Sequence, residues 1–202
     1  MRGRFIAFEG GEASGKSTQA RLLAERLGAV LTREPGGTAI GERIRTVLLD
    51  PAETALDDRA EALLMAAARA QHVAQVIEPA LQAGRHVVTD RFGASSIAYQ
   101  GYGRGLPVEE IRWLSAWASA GLWPDLTILL TVDSALGPAR ALDRLEAAGD
   151  DFHARVAEGF AAQAAADPVG WAEVDGRGSP EEVAARVALV VQERLHIGDN
   201  QA

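Results

Sequence analysis

The stretch "FEGGEASGKSTQA", Phe8 to Ala20, carries the decisive spacing of the chain, because Gly10, Gly15, Lys16 and Ser17 match G-x-x-x-x-G-K-[ST]. A strand-length apolar run, Arg4 to Phe8, precedes it, and a helical pattern runs from about Gly15 or Lys16 to a terminal glycine, Gly28. That context separates a phosphate-binding loop from a chance glycine-rich turn. In such a loop the glycines let backbone amides converge on a β-phosphate, Lys16 reaches the β and γ oxygens, and the Ser17 hydroxyl ligates Mg²⁺. Glu12 is out of place there. Two unit charges about 4 Å apart at an effective dielectric near 20 repel by roughly 4 kcal/mol. A carboxylate aimed into a polyphosphate cradle is therefore expelled unless a cation intervenes.

Length and composition set the frame. The chain has 202 residues, 48% apolar and 24% charged, which is enough for one well-buried core. A net charge of −8 argues against bulk binding to nucleic acid or to an anionic membrane, since both need a cationic surface. Anionic ligands must be met by local arginines and amides. The chain has no cysteine, which excludes disulfides, thiolate metal sites and a cysteine nucleophile. The N-terminal "MRGRFIAF" lacks the pattern of a secretory signal. The longest nearly apolar run, Leu126 to Val132, is far short of the roughly 20 residues a membrane helix needs. A cytoplasmic setting is expected.

Apolar runs of strand length alternate with helical stretches, the pattern of a parallel sheet covered on both faces. Strands are expected near Arg4–Phe8, Ala29–Thr32, His86–Thr89, Leu126–Thr131 and Trp171–Val174. This predicts a single α/β domain of the P-loop NTPase type over residues 1–202, with a five-stranded parallel sheet, helices on both faces and a short lid. The last helix should start at "SPEE", where Ser179 caps, Pro180 takes the first helical position and Glu182 completes a capping box. The alanine-rich segment Leu56 to Ala83 predicts two helical pieces broken or kinked at Pro79. The polar tail, 196–202, is expected to fray.

The loop alone does not say what becomes of the nucleotide. No N-K-x-D guanine signature is present, and a kinase needs a second site for its acceptor. Three segments are placed to form one: "TREPGGT" (Thr32 to Thr38), "MAAARAQH" (Met65 to His72) and "TDRFGASSIAYQGYGRG" (Thr89 to Gly105). The first and third follow predicted strands, at the carboxyl ends where open parallel sheets bind ligands. With the phosphate loop and "PDLTILLTVD", these segments resemble the bacterial thymidylate kinase family along essentially the whole chain.

The resemblance implies transfer of the ATP γ-phosphoryl group to dTMP, giving dTDP, with Mg²⁺ as cofactor and a homodimer as the assembly. It implies that Gly10, Gly11, Glu12, Ala13, Ser14, Gly15, Lys16, Ser17 and Thr18 bind ATP. Arg91 would bind the acceptor phosphate, with Asp90 near Mg²⁺. Arg69 would hydrogen-bond the thymine edge beside Ser96. Tyr99 and Gln100 would lie along sugar and base, Tyr99 crowding the 2′ position, and Glu34, Pro35 and Gly36 would shape the pocket floor. Met65 would also bind the acceptor, giving a flexible apolar contact where the family often has an aromatic residue, and Ala68 stands where the family often has an acid. Glu12 would face the acceptor's sugar and accept from its 3′-hydroxyl.

An acceptor phosphate has a second pKa near 6, so no general base is needed and the task is in-line alignment with charge neutralisation. Some members carry an arginine where Ala13 stands; others carry basic residues in a mobile lid. The lid here, about 137–150, is short and poor in arginine. The resemblance implies that Arg140 lies by the adenine and that Arg144 approaches the phosphates. The competing reading of these two is a solvated helix face paired with Asp143 and Glu146. Competing readings of the whole are a kinase for another nucleoside monophosphate or a deoxynucleoside, or a non-catalytic nucleotide-sensing protein. Trp113, Trp117 and Trp123 are expected in core or subunit packing, and His72, His86, His153 and His196 are assigned to neither metal nor catalysis.

Overall fold

A computed structural model of the chain describes residues 2–132 and 143–197. Strands β1 (Phe5–Glu9), β2 (Val30–Arg33), β3 (Val87–Asp90), β4 (Leu126–Thr131) and β5 (Trp171–Asp175) form one parallel sheet in the order β2-β3-β1-β4-β5. Each lies within a residue or so of its expected bounds. All five residues of β1 are buried, as a central strand covered on both faces requires. Its neighbours are β3 and β4: the chain builds β2 and β3 on one side of β1, then crosses to β4 and β5 on the other, and a crevice opens above its carboxyl end.

Helices α1 (Lys16–Leu27) and α8 (Pro180–Leu195) cover one face, where Leu23, Leu27, Val183, Val187 and Val191 pack on Ile6 and Phe8. Glycine marks both ends of α1: Gly15 and Gly28 each adopt the left-handed conformation, with φ of 87° and 61°. The capping box of Ser179 and Glu182 forms as expected. On the other face stand α2 (Ala39–Leu49), α3 (Asp58–His72), α4 (Glu78–Gln82), α5 (Gly93–Ser96), α6 (Val108–Ala118) and α7 (Asp150–Ala166). None of the helices among the described residues is long and apolar enough to cross a membrane.

Two widened turns matter for the site. Between α3 and α4, Val73–Ile77 is π-helical and the Glu78 amide reaches Val73 O. Pro79 has no N–H to give, and the expected break is taken up by this wider turn just before it. After α5 a second π-helical stretch, Ile97–Gly103, closes with the Arg104 amide on Tyr99 O at 2.9 Å. The helical run thus continues through Tyr99 and Gln100.

Of the core or subunit packing expected for the tryptophans, the core does not hold for Trp113 and Trp117, which are 65% and 69% exposed and stack at 6.3 Å. α6 buries Ile111, Ser115 and Ala118 instead, which leaves the i, i+4 pair of tryptophans on the outer face. Trp123 packs edge-on against Phe92 at 6.4 Å. His196 caps α8 at φ 53° and Ile197 rests on the core. Residues 198–202 of the expected frayed tail, and 137–142 of the lid, lie outside the described residues.

Ser179→Ala removes a hydroxyl that accepts from the Glu182 amide. We expect a loss of about 1 kcal/mol in urea unfolding, and an unchanged midpoint would show that the box contributes nothing.

Candidate active site

A cavity of about 390 Å³ opens at the carboxyl ends of β1, β2 and β3. The phosphate loop forms one wall, with residues from Glu12 to Thr18 lining it. Gly10 passes so close to β4 that a Cβ there would lie 2.5 Å from Leu130 O. Lys16 is buried and donates to Gly11 O and Ser14 Oγ, inside its own loop. Burial and nearby Arg91 depress its pKa to about 8, against the opposing pull of Glu12, Asp90 and Glu9.

Glu12 does not point into the cradle. Its Oε1 accepts from Arg91 Nη2 at 2.6 Å and from the Tyr99 hydroxyl at 2.5 Å. Burial raises its pKa, but the charges of Arg91 and Lys16 and the Tyr99 bond outweigh this, leaving it at about 2, with Glu146 as a further side-chain partner. The intervening cation is therefore Arg91. Its own position is strained, with φ at 70°, and is held by its amide on Phe8 O at 2.9 Å. Its Nη1 donates to Gly10 O and Ser95 Oγ, and its guanidinium lies 5.0 Å from the Tyr99 ring centroid. Burial lowers its pKa, but the Tyr99 phenol oxygen and the Glu12, Glu9 and Asp90 carboxylates outweigh this and raise it, so Arg91 stays charged. Burial pushes the Tyr99 phenol up, which keeps it a neutral donor.

One residue before Arg91, Asp90 Oδ2 accepts from the Ser17 hydroxyl. Asp90 Oδ1 is buried with no hydrogen-bond partner among the described residues. A hydroxyl and a carboxylate with an unsatisfied oxygen, side by side at the loop, suit a hard cation with oxygen ligands. The sequence-expected metal pair is thus brought together.

On the acceptor side, Arg69 Nε donates to Glu34 Oε2 at 2.9 Å and Nη2 to Ser96 Oγ at 2.9 Å. Met65, Tyr99, Gln100 and Pro35 line the same cavity. Gly11 and Gly36 adjoin lining residues in the chain without lining the cavity themselves, and Gly10 stands one residue further back. The Tyr99 ring leans on Phe152 and Phe160 at 5.9 and 6.2 Å.

Arg144 is not brought to the loop. Its Nε donates to Leu48 O at 2.9 Å, and its Nη2 lies 2.6 Å from Glu61 Oε2, an ion pair without an aligned N–H. It ties the base of the lid to α2 and α3. Arg140 lies outside the described residues.

Several residues escaped the sequence reading. Arg33 and Arg45 also line the cavity, with Arg45 Nη1 held by Pro35 O at 2.8 Å. Burial, then Arg33, lowers the Arg45 pKa. His72 is wholly buried, with Nδ1 3.0 Å from Glu34 Oε1 and Nε2 2.6 Å from Thr32 Oγ1, so it orients the acid that holds Arg69. Glu9 accepts from the Phe92 amide at 2.9 Å, the Ser95 amide at 3.2 Å and the Ser95 hydroxyl at 2.6 Å, which fixes the turn carrying Arg91.

Burial raises the Glu9 pKa from 4.5 to about 7, although Arg91, Ser95, the Phe92 amide and Lys16 pull it down. The folded chain binds this proton more tightly than the unfolded one. Its stabilising contribution is full below about pH 4.5 and is lost as pH rises to about 7. The urea midpoint should fall across that window and should flatten there in Glu9→Gln; an equally steep fall in the variant would remove Glu9 as the cause.

Comparison with known proteins adds a family to this geometry. A family model described as thymidylate kinase matches residues 8–187. The thymidylate kinase of Synechococcus sp. (strain JA-2-3B'a(2-13)) is 52% identical over 200 residues, 95% of this chain and 95% of the relative. That of Cutibacterium acnes is 47% identical over 194 residues, 93% and 95% of the two chains. A crystal structure of thymidylate kinase from Ehrlichia chaffeensis superposes with a TM-score of 0.79 at 34% identity, covering 95% of this chain and all of that one.

Proposed function

The chain belongs to the thymidylate kinase family, and from that premise we propose how its crevice transfers the γ-phosphoryl group of ATP to dTMP. The observation that carries the proposal is the Arg91, Glu12 and Tyr99 knot beside the Lys16 loop. A partly buried, permanently charged arginine there is a receptor for a second anion next to the first.

The donor triphosphate lies along the loop amides, and Lys16 turns from Gly11 O and Ser14 Oγ toward its terminal oxygens. The acceptor phosphate approaches Arg91, which keeps Glu12 on its far side. Glu12 cannot act as a base at neutral pH to any purpose, since the acceptor phosphate is already mostly dianionic. It accepts instead from the acceptor's 3′-hydroxyl, while Tyr99 occupies the space beside the 2′ carbon. Ser17 and Asp90 would hold Mg²⁺, which would neutralise charge on the phosphates. Arg45 and Arg33 supply further positive charge on the acceptor wall. Because Arg144 is engaged by Glu61 and Leu48, Arg140 is the lid cation of this reading, and Arg144 serves as a strut. At the base end, Arg69 is preorganised by Glu34 and Ser96 over an apolar floor of Met65 and Pro35.

The active form is a homodimer in this proposal. Trp113 and Trp117 on α6 and Leu63 on α3, 59% exposed, present large apolar side chains on adjoining helices. Monomer alone in sedimentation at micromolar concentration would overturn that assignment.

ADP release measured with a panel of nucleoside monophosphates should be fastest with dTMP; a different preferred acceptor would redirect the reading to that nucleotide, and no turnover at all would favour a sensing role. Arg91→Ala should raise KM for dTMP by about a hundredfold while leaving KM for ATP within about twofold, as loss of one buried charge-assisted contact predicts. Equal losses for both substrates would refute its acceptor-side role. Glu12→Gln should likewise weaken dTMP much more than ATP, and the reverse order would place Glu12 on the donor.

A further inference from the structure

Glu61, Met65 and Arg69 stand at i, i+4 and i+8 on α3, so one helix face turns an acid, an apolar side chain and a cation toward the acceptor pocket. Glu61 is wholly buried. Its Oε1 accepts from Gln100 Nε2 at 2.8 Å and from Arg104 Nε at 3.3 Å. Its Oε2 accepts from Arg104 Nη2 at 3.0 Å and pairs with Arg144 Nη2 at 2.6 Å. Burial pushes its pKa up, but Arg104, Gln100 and Arg144 outweigh burial and hold it below the ordinary carboxylate range.

An ionised carboxylate can only accept hydrogen bonds, whereas an amide offers a donor at one end and an acceptor at the other. Gln100 must therefore turn its NH₂ toward Glu61, and that leaves Oε1 as the free end of a side chain that lines the cavity. This oxygen is buried and has no hydrogen-bond partner among the described residues. A buried acceptor without a donor is unfavourable, and a ligand that supplies the donor gains by it.

We infer that Glu61 is a specificity-determining residue: by fixing the Gln100 amide it presents Oε1 as an obligatory acceptor, which selects bases with a ring N–H over bases with a ring lone pair. The inference rests on the reading of this pocket as a pyrimidine nucleotide site. Pyrimidine-2,4-diones carry an N–H at the ring position between their two carbonyls. A 4-aminopyrimidine has a lone pair there, and two acceptors facing each other in a dry pocket repel. Glu61 acts through Gln100 and touches no substrate atom, so it is a positioning residue. The 2,4-dione class includes both thymine and uracil, so discrimination between those two is outside its reach.

Steady-state kinetics with dTMP, dUMP and dCMP test this on the full chain, Glu61→Gln, and Glu61→Gln combined with Gln100→Glu. A glutamine at position 61 can donate or accept, which frees the Gln100 amide to rotate. Glu61→Gln should lower the dTMP-to-dCMP ratio of kcat/KM by about tenfold or more, mainly through KM for dTMP, with KM for ATP and the dTMP-to-dUMP ratio unchanged. The double variant should restore the native ratio. In it the acid at position 100 accepts from the amide at position 61 and turns its second oxygen to the cavity, with the charge near Arg104 and Arg144 conserved. An unmoved dTMP-to-dCMP ratio in Glu61→Gln, or a double variant that fails to restore it, overturns the inference. Should Glu61→Gln not fold, Gln100→Met, which keeps Glu61 and the volume, carries the same expected loss, and retained discrimination there overturns it equally. A native chain with no turnover of dTMP would instead overturn the functional reading, so the two failures are distinguishable.

Discussion

The charge on Arg91 is the constraint around which the crevice is arranged. A guanidinium buried at the end of a central strand demands compensation, since taking such a group out of water costs several kcal/mol unless partners replace the hydration. Glu12, Tyr99, Ser95 and the Gly10 carbonyl supply it here. They come from three local structures: the phosphate loop for Glu12 and Gly10, the π-helical stretch for Tyr99 and α5 for Ser95. The arginine thereby draws the donor loop and the acceptor wall to one point. Its left-handed backbone is held by Phe8 O, and Glu9 braces the next turn from below. The strain is kept because the neighbours over-determine it.

The glutamate that looked misplaced in the phosphate loop is part of this compensation. Without Arg91 it would face two polyanions and neutralise; with Arg91 it holds a pKa of about 2 and behaves as a fixed acceptor. The orientation of Glu12 in the loop is therefore set by a residue some eighty positions away.

The sheet was legible because its strands are buried on both faces, so their apolar runs stand out, and because glycine and the "SPEE" cap mark helix ends through local geometry. The pairing of Ser17 with Asp90 and of Arg69 with Ser96 was legible through the family resemblance of the motifs. What stayed hidden depends on tertiary neighbours. A spacing of four places Trp113 and Trp117 on one side of α6 but does not say whether that side meets the core. Likewise the family resemblance placed Arg144 near the phosphates, whereas a buried acid on α3 and a carbonyl on α2 engage it here. Glu9 was invisible because a lone acid ending an apolar strand has no periodic signature, and its three partners all lie more than eighty residues on.

The π-helical stretch Ile97–Gly103 sets a different kind of limit on this chain. Its turns hold more residues than the 3.6 of an α-helix, so the directions of Tyr99 and Gln100 depend on how many residues the segment contains as well as on which ones. Loss of a single residue would let the run relax to ordinary helix and swing everything beyond it by about 100°, taking the phenol off Glu12 and the amide off Glu61 together. The site can therefore drift by substitution along this segment while remaining closed to changes of length.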